Sequence, residues 1–292
     1  VVKVLDDMDE SVKQIMSKKF LVNTESAYIE PDEVTVENIK CNQIHQAEPK
    51  LKDDYFVQKI IDADTLAKTR KRLDAAIVSA WNTVKSNRRP PALTPIRWVW
   101  RLAGFYHLCH STPQLMKEAQ ERFALANRYN LAQWAGQKSI EEAGHDLLAL
   151  LDIQSMGYKP EAVVEVLLPP AAKTLVDSFT RSVQDSDPID CVGYSYTAER
   201  LGICVGEAYV QSVEALLPSG IRATRCLRAH SAVSTEVKHV KESLVMIAGL
   251  TSQEIDRIVK ACYEAALLRF SPPKQDYISD DDIEKLLQPL KI

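Results

Sequence analysis

Two tetrapeptides, Glu142-Ala-Gly-His145 and Glu236-Val-Lys-His239, each set a carboxylate three residues ahead of an imidazole. On one face of a helix such a pair can ligate one metal or two adjacent metals. Two such helices, joined by glutamates from two more, build carboxylate-bridged di-iron centres. A single Glu-x-x-His arises easily by chance in a helical chain rich in Glu; two of them in separate core helices point toward a metal. A third carboxylate is offered by Glu199 in GYSYTAERLGICVGEAYV. Its helical neighbours Ser195, Tyr196, Gly202 and Ile203 form an apolar and small-residue stripe, so the acid needs a metal, a proton or a basic partner. A salt bridge to an arginine of another helix is the simple alternative. Glu207, beside Cys204 and Val210, is a weaker candidate of the same kind.

The stretch HSAVSTEVKH adds His230, nine residues before His239. At 3.6 residues per turn that places it about 180° round a straight helix from Glu236 and His239. His230 joins them only if the helix is bulged or broken at Val233 to Thr235, and such irregularities do concentrate at functional sites. In FYHLCHSTP, His107 and His110 share a face near Tyr106 and could line a substrate pocket, although packed or surface histidines account for them as well. Arg222, Arg225 and Arg228 follow one helix face, where Arg228 could clamp a substrate carboxylate or the whole run could face solvent. Trp81, Trp98, Trp100 and Trp134 read as core, and His45 as a surface or packing residue.

The elements that must position these groups are helices. Apolar residues recur at three and four spacing, glycine numbers only nine, and alternation at two is hard to find, so the expected fold class is all-α. Residues 1–60 mix short apolar pairs with proline and acids and read as an irregular arm or lid. Helices are expected from Asp62 to the proline-rich SNRRPPALTP, from about Ile96 to His110, from Ser111-Thr112-Pro113 onward, and over 139–156 up to Gly157. Further helices are expected over 171–184, 194–216, 221–247 and 251–269, with a small capped helix in the tail. The domain division is an arm over 1–60, a bundle carrying the site over 61–270, and a tail over 271–292. Bundle cores are where facing helices build metal sites.

Composition narrows the function. With 292 residues, 46% hydrophobic, the chain can bury a sizeable core. Its 36 basic and 40 acidic residues are well mixed, which gives neither a nucleic-acid footprint nor a polybasic membrane patch. No apolar run approaches the roughly 18 residues that span a bilayer, and the opening VVKVLDDMDE lacks the charged-then-apolar order of a signal peptide. Cys41, Cys109, Cys191, Cys204, Cys226 and Cys262 are scattered without C-x-x-C spacing, as reduced core cysteines of a cytoplasmic protein would be. The expected partner is a small molecule, free or carrier-bound. The sequence admits a homodimer.

The segment EEAGHDLLALLDIQSMGY, the glutamate of YSYTAERLG some fifty residues later and the histidine cluster about thirty beyond it resemble the haem-oxygenase-like di-metal oxidases, relatives of the TenA/PqqC fold. The resemblance covers roughly residues 95–270. It implies a haem-oxygenase-like helical bundle that binds two irons with three histidines and three carboxylates, activates O₂, and oxidises amino acids or fatty acids. Carried over by position, His145, Glu199 and His239 would be iron ligands, with Glu236 preceding His239. Two positions depart from the pattern. Lys138 stands where the family has its first glutamate, so Glu141 or Glu142 would substitute from the next turn. Ala232 stands where a histidine is expected, with His230 in reserve. If both departures abolish ligation, the site holds one metal or none. The resulting expectation is a non-haem iron, O₂-dependent oxidase or oxygenase acting on a small carboxylate-bearing or amino-acid-like metabolite in a biosynthetic pathway. Its rivals are a metal-free binding or scaffold protein of the same fold and a ferritin-like bundle. The thiaminases of TenA type invite a cysteine nucleophile, but no cysteine here has a nearby sequence partner that would make it a thiolate.

Overall fold

The computed structural model describes residues 61–84, 91–231 and 233–292, and of residues 233–236 the backbone alone. The expected arm, with His45 and Cys41, lies outside them. Among the described residues the chain is helical throughout, apart from turns and one isolated bridge between Tyr158 and Lys291. The all-α fold class is as the apolar periodicity requires.

Helix α1 (Ala63–Thr83) opens at Asp62, whose carboxylate accepts the Thr65 N–H at 2.8 Å. Helix α2 (Pro95–Leu125) starts at a Thr94 cap with proline in its first turn. The break expected at Ser111-Thr112-Pro113 does not occur, and α2 runs through Pro113 as one helix. The hydroxyls of Ser111 and Thr112 bond back to the carbonyls of His107 and Leu108. The buried stripe of Trp98, Leu102 and Cys109 continues as Leu115, Met116, Ala119 and Phe123. Burying four more side chains of that size outweighs the roughly 3 kcal/mol that an interior proline costs.

The single helix expected over 139–156 is two: α3 (Tyr129–Glu141) and α4 (His145–Ser155). Gly144 between them has φ 86°, a left-handed conformation that stops α3 and lets the chain turn before α4. After α5 (Pro160–Val166), which the sequence reading did not anticipate, come α6 (Pro170–Gln184) and α7 (Asp190–Leu216). In α7, Gly206 is non-helical at φ 63°, ψ 172° and kinks the helix. Over the helix expected at 221–247 the described residues form α8 (Arg225–Ser231) and α9 (Val233–Ala248), on either side of Ala232, which lies outside them. Then follow α10 (Ser252–Phe270), with a Thr251/Glu254 capping box, and α11 (Asp280–Leu287), capped by Ser279.

The apolar interior is divided. One core joins α1, the second half of α2, α3, α6, the first half of α7, α9 and α10 around Phe123, Ile77, Tyr196 and Ile258. The other joins the first half of α2, α5, the second half of α7 and α11 around Trp98, Leu102, Val213 and Ile283. A small separate cluster holds Cys109, Ala149 and Cys226. The long helices α2 and α7 run through both cores. No helix among the described residues is long and apolar enough to cross a membrane.

Candidate metal centre

Three elements deliver the first group. Glu142 ends α3, His145 begins α4 and His230 lies near the end of α8. One ligand atom from each lies within 4.8 Å of the other two. Glu142 Oε2 is 3.1 Å from His145 Nδ1, and the His145 and His230 rings meet edge to face at 4.8 Å between centroids. The Glu-x-x-His pair is therefore real in space, but it is not one helical face as its spacing suggested. It is drawn together across the Gly144 turn. Burial pushes Glu142 up, but the hydrogen bond from His145 and the charges of His230 and His145 more than offset it, so its pKa lies below the usual carboxylate range.

Two contacts hold His230 in place. Its Nε2 is 3.3 Å from Cys109 Sγ, and its backbone carbonyl presses on Gly202 of α7, where a Cβ would come within 2.5 Å of the oxygen. Helix α8 is anchored in turn by the fully buried Asp152, which accepts the Cys226 N–H at 2.9 Å and the Arg225 guanidinium at 2.9 Å. Cys109 and Cys226 face each other behind His230, and their ligand atoms form a second group with it within the same 4.8 Å. The hydrogen bond to Cys226 and burial raise the Cys109 thiol well above its ordinary value. It is a packed thiol and no nucleophile.

A third cluster is gathered round a lysine. Lys138 is 3% exposed, and its Nζ lies 3.0 Å from Glu141 Oε2 and 2.8 Å from Glu199 Oε1. Burial works against its charge, but Glu199 and Glu141 more than compensate and hold its pKa above the usual. Glu141 Oε2 also approaches His239 Nε2 at 3.3 Å. The Glu199 carboxylate accepts from Ser243 Oγ at 3.4 Å, and Ser243 accepts from Trp134 Nε1 at 3.1 Å. Burial raises Glu199 to about 7 against the opposing pull of Lys138. The expected basic partner of Glu199 is thus a lysine of α3 in place of an arginine. Burial and the Lys138 charge lower His239, which favours its neutral form.

Comparison with known proteins finds no matching family model and no matching curated protein. Among solved structures, the chain is similar to a domain of unknown function with a heme oxygenase-like fold from Shewanella denitrificans OS217. The identity is 21%, the likeness covers 78% of this chain and 94% of that one, and the TM-score is 0.48.

The donor sets differ in their fitness for a metal. Glu142, His145 and His230 supply one oxygen and two nitrogens. Donor atoms 3.1 Å apart have the separation that two ligands keep when each bonds one ion at about 2.0–2.2 Å. These residues fit. Glu141, Glu199 and His239 do not, because an ammonium already takes an oxygen from each carboxylate. Glu236 falls on α9 with its side chain outside the described residues, and Ala232 lies outside them altogether. Tyr106, His107 and His110 are elsewhere: His107 Nε2 bonds the Leu167 carbonyl at 2.8 Å, and His110 stacks on Tyr106 and bonds Asp146 at 2.8 Å. The Arg228 guanidinium pairs with Glu207 at 3.1 Å and Glu214 at 2.9 Å on a half-exposed face.

Sequence reasoning placed Lys138 as a departure from a pattern and did not see it as a centre. Its signal was present, for Lys138 continues the stripe of Leu131, Trp134 and Ala135, all buried. A lysine in such a stripe must reach a carboxylate or lose its proton. Ser243, Cys109 and Cys226 gave no comparable signal, since small polar residues and cysteines fill ordinary cores.

Proposed function

We propose that this chain is a non-haem iron oxidase or oxygenase whose metal is held by Glu142, His145 and His230. The reading is supported above all by the convergence of one carboxylate and two imidazoles, from three separate elements, within 4.8 Å. Two histidines and a carboxylate are the donor set of non-haem Fe(II) oxygenases, and they leave coordination positions open for O₂ and substrate. Iron bound there would supply the redox chemistry with O₂. The chain's own residues would set the conditions around it. Glu142, ionised through the neutral range, balances part of the metal's charge. Cys109 orients the His230 ring through its contact with Nε2. The substrate class, a small carboxylate-bearing or amino-acid-like metabolite, rests on the sequence resemblance.

A second reading is supported by the Lys138 cluster and by the Glu142–His145 hydrogen bond. Both pair polar or charged groups without any metal, as in a metal-free binding or scaffold protein. Protein expressed with iron and purified without chelator separates the two. The oxidase reading expects about one iron per chain in the wild type and none in His145→Ala, with O₂ uptake dependent on the bound iron. Wild-type protein that takes up no iron would leave the binding-protein reading.

A further inference from the structure

We propose that the Lys138 ammonium occupies, as a built-in cation, the position of a second metal, so that this fold carries one metal ion and one fixed charge instead of two metals. The inference rests on the one-metal reading above and concerns the other half of the same polar interior.

Glu141, Glu199 and His239 are two carboxylates and an imidazole, from α3, α7 and α9, drawn together beside the first core. In kind they are residue types that ligate divalent ions. At their centre stands Nζ of Lys138, within 3.0 Å of both carboxylates. An ammonium carries one positive charge and three donors; it neutralises one of the two carboxylates and engages an oxygen of each. A metal ion entering the set would meet a like charge within about 3 Å, in a buried site where that repulsion is little screened. It would also have to take oxygens that the ammonium already holds. The lysine cannot swing away at low cost. Its side chain is 3% exposed, along a stripe of α3 that packs Leu131, Trp134 and Ala135 into the core. The arrangement also keeps the Glu142 group separate. Glu142 and Glu141 are adjacent in sequence, yet Glu142 turns to His145 while Glu141 turns to Lys138 and His239. The residue at position 138 thereby sets how many metals the chain holds.

The test is equilibrium metal binding to the purified full chain, with Fe(II) and Co(II) as probes and stoichiometry as the readout. Wild type is expected to bind about one ion and His145→Ala none. Lys138→Glu, and Lys138→Ala as the variant with less added charge, are each expected to bind one more ion than wild type. The pair Lys138→Ala/His145→Ala is expected to regain one, at a site that His239→Ala then removes. Two ions on the wild type would overturn the inference while leaving a metal-dependent function standing. One ion on a folded Lys138→Ala variant would also overturn it. No ion on the wild type, with one appearing in Lys138→Ala, would instead sink the one-metal reading and keep the lysine's role.

Discussion

At the scale of single residues, the centre of the molecule turns on how Glu199 and Lys138 share a proton-sensitive contact. The Glu199 folded-state pKa of about 7 lies above the ordinary carboxylate value. Between the two, the native chain holds a proton that the unfolded chain has lost. A raised folded pKa makes this group's contribution present at low pH and lost as pH rises to about 7. Metal-free protein should therefore lose stability on going from pH 5 toward pH 7.5 through this group. Glu199→Gln should flatten that part of a denaturation-midpoint profile, and an identical slope in the variant would contradict the assignment. Lys138→Met is the harsher change. It leaves Glu199 and Glu141 buried without their common cation, and should cost about 3–5 kcal/mol by urea unfolding. Much of this was legible in the sequence. Glu199 was visible as an acid in an apolar stripe that needed a partner, and His145 as half of a donor pair. The identity of the Glu199 partner was not, because an ion pair between helices depends on how those helices pack.

At the scale of elements, breaks matter as much as helices. The Glu142–His145 pair exists because Gly144 takes a left-handed turn, and His230 reaches it because α8 lies tight against α7 at Gly202. Gly202→Ala should push α8 outward from its contact with the His230 carbonyl. We expect a loss of about 1–3 kcal/mol of stability and weaker iron binding, read by unfolding and by metal titration on one preparation. Unchanged iron affinity with lowered stability would show that His230 does not depend on that contact. Periodicity located most helices to within a few residues, since each buries an apolar stripe. It failed at Pro113, where tertiary burial carried α2 through a residue that normally ends a helix. It failed again at Gly144, where apolar residues continue on both sides and nothing in their spacing marks a change of direction.

For the whole molecule, the polar groups tie together α3, α4, α7, α8 and α9. A ligand that binds only the folded state stabilises it in proportion to the logarithm of its excess over Kd, about 2.7 kcal/mol at a hundredfold excess. Anaerobic Fe(II) should accordingly raise the unfolding temperature of wild type and leave His145→Ala unmoved. An equal shift in both would mean that iron binds elsewhere. The division of the interior was not legible in the sequence. The same Leu, Val and Ala types fill both cores, and only the kink at Gly206 and the passage of α2 and α7 through the junction separate them.

The most direct test is Fe(II) affinity in His230→Ala against His239→Ala, two histidines nine residues apart that the fold assigns to different groups. Loss of iron in His230→Ala, with His239→Ala binding as wild type does, is the result the account predicts. Iron retained in His230→Ala and lost in His239→Ala would contradict it.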